Sequence, residues 1–163
     1  MAKKAACPVI SIWPAGDGNR SFLAMARTKS GTKRVGVLEL YDMPPADKRG
    51  RPRLAVIAIA VDPTMQRCGV GTKLYAMAAQ LACHENRTLV SDESRTKCSD
   101  GFWKKQVAKK RAKCAKKWPE APGTHWADDA PGCGGPAEGR SGCSFYALTK
   151  PCPTSLEGPK RRR

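Results

Sequence analysis

The chain has 163 residues, 40% of them apolar, which is enough for one ordinary folded core with an appendage and excludes wholesale disorder. Thirty Lys and Arg against 14 Asp and Glu leave a net charge of +16, which predicts an acidic partner and says nothing of fold. No apolar run approaches the ~20 residues of a membrane-spanning helix, so no membrane partner is expected.

The first 60 residues hold 11 basic and 4 acidic side chains, residues 61–100 hold 5 of each, and residues 101–163 hold 14 against 5. The neutral middle is where a folded site is sought, and the basic flanks are where partners would dock. Lys3 and Lys4 precede an apolar stretch that Pro8 and Pro14 interrupt, and no cleavage signal follows it. This start therefore reads as a first strand. The eight cysteines are then expected to be mostly reduced, in a cytoplasmic protein.

In chain order, strands are expected at Val9–Trp13, Phe22–Arg27, Val35–Tyr41 and Leu54–Val61. Turn residues separate them at Gly16-Asp17-Gly18-Asn19, Ser30-Gly31 and Met43-Pro44-Pro45. Leu54–Val61 is apolar on both faces, as in a central strand covered on both sides. A helix follows from about Gly69 to His84, with Val70, Leu74, Met77, Ala78 and Leu81 forming its core stripe. Thr88–Ser91 reads as a short strand, and a second, strongly basic helix is expected from about Ser99 to Lys117. Trp118–Cys143 holds four Pro and six Gly in 26 residues and reads as an irregular excursion. Ser144–Thr149 returns as a strand. The predicted fold is α/β: a mixed, twisted central sheet flanked by helices, as one domain over 1–150 with a basic tail over 151–163.

The segment from Val61 to Thr72 carries the chemistry. An apolar strand runs into a turn with Gly69 and Gly71, and the turn opens an amphipathic helix. Glycines let the backbone approach a ligand, and the unpaired N–H groups and dipole of a helix start favour an anion. Neither the Walker loop nor the three-glycine dinucleotide fingerprint is present.

The turn resembles the pyrophosphate loop of the GCN5-related N-acetyltransferase (GNAT) superfamily, whose pattern is met by Gln66, Gly69 and Gly71. The resemblance spans roughly residues 54–118 and includes the strand before the turn, the helix and strand after it, and the Val-x-Pro step. It implies acetyl-CoA as cosubstrate, held by Gln66, Arg67, Cys68, Gly69, Val70, Gly71 and Thr72. The strand edge at Ile59, Ala60 and Val61 would pair with the pantetheine arm. Trp103 stands where the family often carries a tyrosine acid, so Tyr146 is the candidate substitute. Asp92 is the candidate base, with Glu93 and Glu39 as further carboxylates. A narrower resemblance, to the acetyltransferase-like proteins of tailed bacteriophages, rests on Ser91-Asp92-Glu93-Ser94-Arg95, Gly101–Val107 and the Tyr146–Pro153 ending. It implies the alternative, a non-catalytic structural component of a virion or nucleoprotein assembly.

Several side chains carry competing readings. Cys68 at a helix start suits a low-pKa thiol. Cys114, His125, Cys133, Cys143 and Cys152 lack the paired spacing of zinc sites, so no metal is expected. The basic run at 101–117 and the tail Lys160–Arg163 read either as solvated faces or as docking surfaces for a virion protein or non-specific nucleic acid.

Overall fold

The structure is a computed structural model and describes residues 6–16, 20–91, 97–117, 143–149 and Cys152. Five strands come first in sequence: β1 (Ile10–Pro14), β2 (Ser21–Thr28), β3 (Gly31–Met43), β4 (Arg53–Val61) and, after helix α1 (Val70–His84), β5 (Thr88–Ser91). Helix α2 (Lys97–Ala108), β6 (Ala112–Lys117) and β7 (Cys143–Leu148) complete the described elements. The strands form one sheet in the order β1-β2-β3-β4-β5-β7-β6, parallel between β4 and β5 and antiparallel elsewhere. This is the mixed α/β fold the sequence predicts.

Alternation builds the sheet's faces. Phe22, Ala24 and Ala26 of β2 and Leu38 and Leu40 of β3 are buried in one large core cluster. Helix α1 closes that cluster with Val70, Leu74, Tyr75, Ala78, Ala79 and Ala82, spaced as one helical stripe. Each fully buried Leu of this kind contributes roughly 1.5–3 kcal/mol. A small second cluster, Ala55, Val90 and Ala147, is one row across β4, β5 and β7. At the far end of α1, Arg20 binds both Glu85 (2.8 Å) and Asp42 (3.0 Å), and Arg87 binds the same two carboxylates at 3.0 Å. This network ties the helix terminus to β2, β3 and β5.

Three expectations are corrected. The basic helix ends at Ala108 rather than Lys117. Lys110 turns the chain with φ 57°, and residues 112–117 form a strand that pairs with β7, Lys113 opposite Ala147. The central strand is covered only over Leu54–Val56, while Ile57, Ala58 and Ala60 are exposed. The thiols are not reduced. All seven described cysteines are disulfide-bonded, including Cys7–Cys68, Cys83–Cys152 and Cys114–Cys143. Their Cα separations of 5.5, 4.8 and 5.7 Å suit bridging, and the argument from reduced thiols to a cytoplasmic location loses its premise. The excursion at 118–142 and the tail, Cys152 apart, lie outside the described residues.

Candidate functional site

The exposed half of β4 has a structural cause. Strand β5 pairs with β4 only from Arg53 to Val56, ending at Val56 opposite Ser91. On the other side, β3 places Leu40 opposite Val56 and Glu39 opposite Ala58, so Ile57 is a bulge at the point where β5 stops. From Ile57 to Val61 the β5 side of β4 has no strand partner among the described residues. Ile59, Ala60 and Val61, the edge that the resemblance implies, lie here.

The edge leads into the glycine turn. Asp62 opens it by accepting hydrogen bonds from the Thr64 amide at 2.9 Å and the Thr64 hydroxyl at 2.6 Å, and it pairs with Lys33 at 3.0 Å. A single 3₁₀ turn, Pro63–Met65, follows. Arg67 (φ 66°) and Gly69 (φ 77°) then both adopt the left-handed conformation, which costs a non-glycine residue about 1–2 kcal/mol. No side chain caps α1, and its first internal bond runs from the Lys73 N–H to the Gly69 carbonyl at 3.0 Å. The amides of Val70, Gly71 and Thr72 have no partner among the described residues. A Cβ on Gly71 would stand 3.9 Å from Ile59 Cδ1 and 4.0 Å from Val61 Cγ2, so the helix start lies directly beside the open edge. The Val70 side chain belongs to the core, leaving its amide as the group available to a ligand. Cys68 is not a reactive thiol, because it is bridged to Cys7.

Aromatic side chains pack together beside the end of β5. The buried Ser91 hydroxyl, at the last β4–β5 pair, accepts the Tyr146 N–H at 2.9 Å. The Tyr146 ring stacks on Trp103 with centroids 6.2 Å apart, and Trp103 meets Tyr75 edge-on at 5.7 Å. Tyr75 also stacks on Phe102 and shares a 2.7 Å hydrogen bond with Ser99. Trp103 is fully buried and its indole N–H has no partner among the described residues. Thus Trp103 and Tyr146 come together, while Asp92 and Glu93 lie outside the described residues. Glu39 is exposed on β3, opposite Ala58 of the open edge. Ser91 and the bulge at Ile57 were missed from sequence; the signal available was the length mismatch between a nine-residue and a four-residue neighbour.

A family model described as "Acetyltransferase (GNAT) family" matches residues 4–110. The chain belongs to the GNAT acetyltransferase family. No curated protein matches it. The match covers the open edge, the turn, α1 and all of α2. Among the described residues, no helix is long and apolar enough to cross a membrane, and no group of three or more His, Cys, Asp or Glu could hold a metal.

The residues present fit the family's donor, acetyl-CoA. Open amides at a helix start suit a pyrophosphate, and the hydrogen at Gly71 Cα leaves them accessible. The neighbouring strand edge can bond to an amide-bearing arm as one strand bonds to the next.

Proposed function

We propose that the protein is an N-acetyltransferase that moves acetyl from acetyl-CoA to an amine. The observation that carries this is the open edge of β4 running directly into an uncapped helix start. Acetyl-CoA supplies an activated thioester. The amides of Gly69 to Thr72 bind its pyrophosphate, with the exposed Arg67 as a counter-charge. Ile59, Ala60 and Val61 orient the arm through backbone hydrogen bonds, and an edge N–H polarises the acyl oxygen. Removal of the amine's proton falls to Asp92, or to Glu39 beside Ala58, and Tyr146 protonates the leaving sulfur.

The experiment is a thermal shift with acetyl-CoA, followed by an assay of CoA thiol release with candidate amines. A ligand at a hundred times its Kd stabilises by about 2.7 kcal/mol, a clear upward shift in Tm. Gly71→Glu should abolish the shift, because it sets bulk and negative charge at the open amides. Gly71→Ala should keep it, since that Cβ meets only ordinary contacts. Substituting the true base, Asp92→Asn or Glu39→Gln, should lower turnover by about two to four orders of magnitude with binding intact. No shift at millimolar acetyl-CoA would overturn the proposal. Binding without thiol release for any amine would favour the non-catalytic structural alternative.

A separate observation supports an acidic partner. Lys105, Lys109, Lys110 and Lys113 are exposed and have no ion pair among the described residues. Residues 101–117 contain no acid, so only the paired Asp100 is adjacent. The reading is sequence-indifferent binding to nucleic acid. Duplex DNA affinity should fall steeply with salt, with a shallower slope once these four lysines are glutamine.

A further inference from the structure

The glycine turn carries a covalent tie from outside its own segment. Cys7, exposed and three residues ahead of β1, is bridged to Cys68 across a sequence separation of 61. Cys68 sits between the two left-handed residues, Arg67 at φ 66° and Gly69 at φ 77°. The Asp62–Thr64 bonds and a 2.8 Å bond from the Met65 N–H to the Asp62 carbonyl hold the start of the turn. Further on, the Cys68 N–H reaches the Met65 carbonyl only at 3.2 Å and the Gln66 N–H reaches the Pro63 carbonyl at 3.4 Å. A non-glycine residue in the left-handed region persists when its surroundings over-determine it. The bridge is the strongest such restraint on this turn.

We propose that the Cys7–Cys68 disulfide is a redox clip that holds the anion-binding turn in its ligand-ready conformation, so that reduction by a dithiol loosens the turn and weakens its hold on acetyl-CoA. The affinity half of this rests on the acetyltransferase reading above. The dithiol gives two electrons and two protons. The S–S bond breaks, Cys7 and Cys68 become thiols, and the reductant becomes a disulfide. Exposure of Cys7 gives a reductant access; Cys68 is partly buried against the core, but neither cysteine belongs to a strand or to α1, so opening the bridge leaves the sheet and α1 intact. Cys83–Cys152 at the far end of α1 and Cys114–Cys143 between β6 and β7 act elsewhere.

The test compares full-length oxidised wild type, Cys7→Ser, and a Cys114→Ser/Cys143→Ser control that keeps the clip. Hydrogen exchange is followed at the bonded amides of Gln66, Cys68 and Lys73 without ligand, and acetyl-CoA affinity is measured by calorimetry. In Cys7→Ser the turn amides should exchange about tenfold faster, and Kd should weaken by about tenfold. Exchange along α1 from Leu74 to Ala82 should stay unchanged. The control should match wild type at the turn and in affinity, and dithiol treatment of wild type should reproduce the Cys7→Ser turn. Unchanged exchange at the turn, or faster exchange with an unchanged Kd, would overturn the clip. Should oxidised wild type bind no acetyl-CoA, the acetyltransferase reading falls, and the exchange rates alone decide whether the bridge orders the turn.

Discussion

Asp62 joins the open strand edge to the anion turn, and its carboxylate is held by groups from two elements. The Thr64 hydroxyl comes first, then Lys33 and the Thr64 amide, and together they lower its pKa from 3.8 to about 2. The folded value lies below the unfolded one, so this contribution to stability is fully present above about pH 4 and is lost as pH falls toward 2. Carbon-detected titration of the Asp62 carboxyl should show a midpoint near 2, and Thr64→Val should raise it more than Lys33→Ala. The reverse order would make the lysine charge, rather than the short hydroxyl bond, the dominant cause. The Asp-Pro step is legible as a strand end in the sequence. Lys33 as partner is not, because it arrives from a hairpin 29 positions away.

Between elements, Gly36 sets how closely β3 and β4 approach the start of α1. A Cβ there would stand 3.0 Å from Val70 Cγ1 and 3.1 Å from the Ala60 carbonyl oxygen, and that backbone atom cannot swing aside. Gly36→Ala should destabilise the protein by about 1–3 kcal/mol in urea unfolding. It should also weaken acetyl-CoA binding, since Val70 opens the helix beside the free amides. A neutral Gly36→Ala would mean that the helix start can shift without consequence. The strands β1 to β5 and helix α1 were legible because their apolar periods, 2 and 3.6, are local signals. Strand β6 was not. Ala112–Lys117 reads as a continuing helix, and what makes it a strand is pairing with β7, whose first residue lies beyond residues 118–142. Local pattern could not report that distant partner. The opening of β4 beside β5 was legible only through the family resemblance, since no local pattern reports where β5 stops.

At the scale of the whole molecule, the cysteines and the charge pull the sequence reading in opposite directions. The disulfides were missed because compartment was inferred from the N-terminus, whereas pairing depends on which cysteines the sheet and α1 bring within about 6 Å. The charge was legible from composition alone, and the structure sharpens it. Asp42, Asp62, Glu85 and Asp100 are all engaged in ion pairs, so these acids do little to offset the exposed lysines of α2 and β6. A chain of net charge +16 repels itself over a Debye length of about 30 Å at 0.01 M salt and about 8 Å at 0.15 M. Its Tm should therefore rise with added salt, although salt also weakens the surface ion pairs. Duplex DNA at low salt should supply the same relief and raise Tm, and that gain should shrink as salt is added. The two effects cross: salt stabilises the free protein and removes the stabilisation of the complex. Replacing Lys105, Lys109, Lys110 and Lys113 with glutamine should raise the low-salt Tm and reduce the DNA gain together. A free-protein Tm that falls with salt would show that the ion pairs around Arg20 and Arg87 outweigh the repulsion. A DNA gain unaffected by the four glutamines would move the acidic partner away from this surface.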